Sequence, residues 1–82
     1  MSLALQRNVE AMGLACELLC SLQQGQYIST EVKYLSACLL VRVYVHRGNN
    51  RTCVYQGTWN TDQLDTWNRT LALSASMGIN IN

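Results

Sequence analysis

The sequence predicts an α+β domain: an N-terminal helix, a small antiparallel sheet of two or three strands with a central hairpin, and a C-terminal helix, both helices on one face. Three observations predict it. Apolar residues near the N-terminus recur at helical spacing, residues 39–59 alternate on either side of Gly48-Asn49-Asn50, and Asn60 with Gln63 marks the start of a second helix. The 82 residues make a single compact domain, 1–82, with no linker or internal repeat. A chain of this length buries roughly 60–65% of its unfolded surface, so its stability margin is thin.

The first helix is expected from about Leu3 to Gln24. Leu5, Val9, Met12, Cys16 and Leu19 follow spacings of 4, 3, 4 and 3, an apolar stripe widened by Ala15 and Leu22. The same spacing suits a coiled coil, but two to three heptads favour a core face over a dimer seam. Gly25 stands where a left-handed glycine would end the helix.

Residues 26–36 admit two readings. Ile28, Thr30, Val32 and Tyr34 alternate with Tyr27, Ser29, Glu31 and Lys33, as in a strand, whereas Val32, Leu35 and Leu39 keep a helical period. A two-stranded hairpin alone is marginal in water, and the need for a third strand decides for the strand. Leu39–His46 and Arg51–Trp59 then form the hairpin. Asn60 caps the last helix, about 61–77, with Gln63 completing a capping box and Asp62 and Asp65 at the positive end of its dipole. Leu64, Trp67, Leu71 and Ala75 are its expected buried stripe and Gly78 its end; Ile79–Asn82 would fray or join a sheet edge.

Loop parity sorts the hairpin into faces, because side chains alternate along a strand. An even loop places Val41, Val43 and Val45 with Thr52, Val54, Gln56 and Thr58 on the helix-covered side. Arg42, Tyr44 and His46 then share the other side with Arg51, Cys53, Tyr55 and Trp59. A three-residue loop would mix the sets. Trp59, at the strand end, reads either as a lid on the core or as an exposed anchor.

Composition narrows the function. Only 13% of residues are charged and 49% are hydrophobic, which argues against disorder and leaves little like-charge repulsion between copies; a partner, or a homodimer, is in keeping with that. Six basic and five acidic side chains give a net charge of +1, too balanced for an acidic nucleic-acid mimic or a non-specific nucleic-acid coat. The first residues lack the pattern of a signal peptide and no run spans a membrane, so an intracellular location is expected, the host cell if the protein is viral. Cys16, Cys20, Cys38 and Cys53 are expected as reduced thiols packing like small core residues. Their spacing is not C-x-x-C, and no metal or cofactor is expected. One histidine, five scattered carboxylates and no glycine-rich phosphate loop provide no catalytic constellation.

What remains is the cationic, aromatic face of the hairpin. Arg42, Tyr44, His46, Arg47, Arg51, Tyr55 and Trp59 are the candidate partner-binding residues of a small non-enzymatic protein-binding module. A nucleic-acid-binding module using the same arginines and tyrosines is the second reading, and a solvated sheet face with aromatics chosen for strand packing is the plain one. Small domains of this plainness occur among phage and mobile-element inhibitors of host machinery, such as anti-CRISPR proteins. That is an analogy of size only.

Overall fold

A computed structural model describes residues 3–76. It contains helix α1 (Leu3–Ser21), strands β1 (Gln26–Tyr34), β2 (Leu39–Arg47) and β3 (Asn50–Trp59), and helix α2 (Thr61–Ser76). The strands form one antiparallel sheet in the order β1-β2-β3. The α+β class and the helix–sheet–helix order are as the sequence predicts, and residues 26–34 are the third strand. Gly78 and Ile79–Asn82 lie outside the described residues.

Each connection follows from its local chemistry. The turn Gln23–Gln26 closes on a backbone bond from Gln26 N to Gln23 O at 3.0 Å, and the Gln26 side chain accepts from Gln23 N at 2.7 Å. Gly25 takes φ +84° there, as a type II turn requires. Its left-handed conformation therefore serves the turn into β1, while α1 has already ended at Ser21. The β2–β3 loop is the two residues Gly48-Asn49, between the paired Arg47 and Asn50, with Gly48 at φ +59° in the first central position of a type II′ turn. The loop is even, as the segregation of the hairpin suggests. At α2, Gln63 N donates to Asn60 Oδ1 at 2.8 Å and Asn60 N to Gln63 Oε1 at 3.0 Å, which completes the capping box.

Both helices pack on one face of the sheet. Ala15 of α1 and Trp67 of α2 meet Leu39, Val41, Val43 and Trp59 in the buried cluster, with Leu14, Leu18, Ile28, Val32, Tyr55, Leu64 and Leu71 packed against it. The Trp59 and Trp67 rings meet edge to face, centroids 5.6 Å apart. Trp67 Nε1 donates to Thr30 Oγ1 at 2.9 Å, so the largest buried side chain of α2 is also tied to β1.

The buried face of α1 differs from the expected stripe. Ala11, Ala15 and Leu19 are buried and Leu14, Leu18 and Leu22 half-buried, while Val9, Met12 and Cys16 are exposed. The helix is turned by about one residue, ~100° about its axis. Ala11 and Leu14 share a small pocket with Tyr55, Trp59 and Gln63. Small side chains let the helix sit close over those rings, so size complementarity outweighs the apolarity of Met12 and Val9. In α2, Leu64, Trp67 and Leu71 face the core as expected. Ala75 is exposed and Ser74 takes the buried place, its hydroxyl donating to Thr70 O at 3.0 Å.

The sheet contains one irregularity with large consequences. Val43 pairs with Tyr55, yet Tyr44 pairs with Cys53, so β3 spends an extra residue at Val54. This β-bulge reverses the facing of everything C-terminal to it on β3. Tyr55, Gly57 and Trp59 therefore join Val43, Val41 and Leu39 on the helix-covered side, and Gln56 and Thr58 move to the open side. That corrects the face expected for Tyr55, Trp59, Gln56 and Thr58; Trp59 is a buried lid on the core.

The Tyr55 ring lies across Gly57. A Cβ at Gly57 would collide with the Tyr55 hydroxyl and stand 2.8 Å from its ring Cζ. The same hydroxyl accepts from Trp59 Nε1 at 3.0 Å. Gly57→Ala, which would ordinarily strengthen a strand, is thus expected to destabilise the fold by about 1–3 kcal/mol in urea unfolding, because the ring must move and orphan an indole N–H. In a Tyr55→Leu background the same change should cost nothing. An equal cost in both backgrounds would show that the ring is not the obstacle.

Candidate functional site

The open face of the sheet is built by strand alternation. β1 contributes Tyr27, Ser29, Glu31 and Lys33; β2 contributes Leu40, Arg42, Tyr44 and His46; β3 contributes Arg51, Cys53, Gln56 and Thr58. Of the seven candidate binding residues, the structure brings four together here: Arg42, Tyr44, His46 and Arg51. Arg47 lies at the turn with the opposite facing, lining an open groove with Leu22, Gln26, Val45 and Val54. Tyr55 and Trp59 point to the helices.

Eight side chains of the open face are engaged with one another across all three strands: Tyr27, Ser29, Glu31, Arg42, Tyr44, His46, Arg51 and Gln56. Arg42 Nη1 meets Glu31 Oε1 at 3.0 Å, and Arg42 Nε donates to Gln56 Oε1 at 3.0 Å. The guanidinium thereby bridges β1 and β3. Tyr44 Oη donates to the same Glu31 oxygen at 3.5 Å, a long contact. The Arg51 guanidinium lies 4.2 Å above the Tyr44 ring, in cation–π range. The Tyr27 and His46 rings stack at 4.5 Å with planes 4° apart, and Ser29 Oγ is hydrogen-bonded to His46 Nε2.

Glu31 was not a candidate in the sequence, yet it anchors this lattice. Its alternation with Tyr27, Ser29 and Lys33 is visible in residues 26–34. What places them beside Arg42 and His46 is the four-residue loop between Tyr34 and Leu39, whose length fixes the register Glu31↔Arg42 and Tyr27↔His46. The Arg42 hydrogen bond holds the Glu31 carboxyl below its ordinary value of 4.5; partial burial opposes this, and the charges of Arg42, Arg51 and Lys33 add to it. Reciprocally, the Glu31 hydrogen bond raises Arg42. With side chains 30% and 42% exposed, the pair is screened by water, and its main effect is to orient the guanidinium.

The cysteines are placed otherwise than expected. Cys16, Cys20 and Cys53 are exposed and Cys38 half-buried; all four are free thiols. Core volume at α1 is taken by Ala11, Ala15 and the leucines, which leaves the thiols on the outer side. Among the described residues, no group of three or more His, Cys, Asp or Glu side chains could hold a metal ion, and no helix is long and apolar enough to cross a membrane. Comparison with family models, curated proteins and solved structures finds no match to this chain.

The Glu31 shift sets a pH dependence. A carboxyl whose value is lowered by folding stabilises the fold above its unfolded value and loses that contribution as pH falls through the lowered one. Glu31→Gln should therefore be less stable than wild type at pH 7, with the gap closing below about pH 4.5. Urea midpoints of both proteins from pH 7 to pH 3 would show it; a gap that persists undiminished at pH 3 contradicts the pairing.

Proposed function

We propose that this chain is a non-enzymatic protein-binding module that docks on an acidic or polar surface of a larger partner through the open face of its sheet. The observation that supports this most is the cross-strand lattice around Arg42. Arginine loses much side-chain freedom on binding, and here Glu31 and Gln56 hold Arg42 and the Tyr44 ring packs against Arg51. Arg42, Arg51 and Lys33 against Glu31 leave the face net positive, which suits an acidic counterpart. Tyr44 on the central strand and Tyr27 on the edge strand add rigid apolar area. A domain this small can act by covering a functional surface of something larger, as an inhibitor of phage or mobile-element type would.

The lattice also favours protein over nucleic acid. Base stacking needs free aromatic faces, but Tyr27 and His46 each have one face taken by the other and Arg51 takes one face of Tyr44. The experiment is an affinity capture from the source organism with wild type and an Arg51→Glu/Lys33→Glu variant, which leaves the Glu31–Arg42 pair intact. The wild type should retain a protein that the variant loses at least tenfold, while the variant's circular dichroism shows that it is still folded at the temperature of capture. Equal recovery by both would exclude this face. Binding of a labelled single-stranded oligonucleotide that collapses with added salt would replace the reading by a nucleic-acid one.

A further inference from the structure

The outer side of α1 displays an unusual set of side chains. Cys16 and Cys20 are exposed free thiols four residues apart, one turn above the other, and Val9 and Met12 are exposed at 47% and 46% on the turns before them. Cysteine is among the residues most often buried, so two on one exposed helical surface call for an explanation beyond packing. Cβ atoms at this spacing stand about 5–6 Å apart on a helix, close enough for two thiolates to converge on one ion with bonds of about 2.3 Å.

We propose that Cys16 and Cys20 are half of a tetrahedral zinc site that a second copy of this chain completes across a two-fold axis. A structural zinc ion takes four ligands, and one chain brings two; among the described residues no third ligand joins them. Cys38 lies at the β1–β2 loop and Cys53 on the opposite face of the sheet, its Sγ within 3.4 Å of the Tyr55 carbonyl. A second copy supplies the missing pair in identical geometry, because an isologous contact repeats each residue on both sides of the axis. Val9 and Met12 of the two helices would then cover one another beside the ion. As each zinc–sulfur bond forms, its thiol releases a proton to solvent: four protons are lost per ion, and nothing is oxidised or reduced. The open sheet faces, on the far side of each protomer, would remain free and point outward as a bivalent pair.

The test is zinc titration of the full chain under a phosphine reductant, read by metal analysis and sedimentation velocity. Saturation at half a zinc per chain with conversion to a dimer is expected, and cobalt substitution should give the thiolate charge-transfer absorption of a four-sulfur site. Cys16→Ser/Cys20→Ser should be monomeric and zinc-free, whereas Cys38→Ser/Cys53→Ser should behave as wild type; without zinc both pairs should unfold at the wild-type midpoint, and zinc should raise the midpoint of wild type and of the second pair only. One zinc per monomer, zinc retained by the first variant, or no zinc bound at micromolar concentration would each overturn the proposal.

Discussion

One extra residue in β3 governs the distribution of chemistry in this molecule. Without the bulge at Val54, Tyr55 and Trp59 would lie on the open sheet face and Gln56 and Thr58 beneath the helices. With it, two aromatic rings enter the core and two polar side chains leave it. The core depends on that exchange. Trp59 packs on Trp67, Tyr55 on Trp59, and the indole N–H groups end on Tyr55 and Thr30, so neither buried indole keeps an unpaired donor. The open face depends on it too, because only the shifted register sets Gln56 opposite Arg42.

The helices are arranged around the same aromatic cluster. Two alanines a turn apart bring α1 close to rings that a bulkier stripe would hold off. A consequence is that two apolar side chains of α1, Val9 and Met12, face outward beside the leucine- and alanine-lined buried side. The core of this domain is small, and its aromatic content is what compensates for having so few buried residues.

Much of this architecture is legible in the sequence, and the failures have one cause. Strand alternation, the Asn60–Gln63 capping box and the even Gly48-Asn49 loop are local signals, and each appears in the structure as read. So does β1, which a two-stranded sheet would lack for stability. Facing is not local. The bulge at Val54 leaves no mark in composition, since Val-Tyr-Gln alternates as well with it as without it. The orientation of α1 depends on which side chains fit against Trp59 and Trp67, which hydrophobicity alone does not rank. The candidate site was accordingly half visible: Arg42, Tyr44, His46 and Arg51 precede the bulge or pair with residues that do, whereas Tyr55 and Trp59 follow it. Glu31 and Tyr27 enter only through pairing with β2, a tertiary fact.

The division of the sheet into an aromatic core side and a basic, polar open side therefore rests on the environment of Trp59. It can be read directly in a Trp67→Phe variant, where Trp59 is the one remaining indole. Blue-shifted emission that acrylamide quenches weakly in the folded state, and strongly after unfolding, is the outcome that follows from the bulged register. Red-shifted emission, quenched as readily in the folded protein as in urea, would place Trp59 on the open face and contradict it.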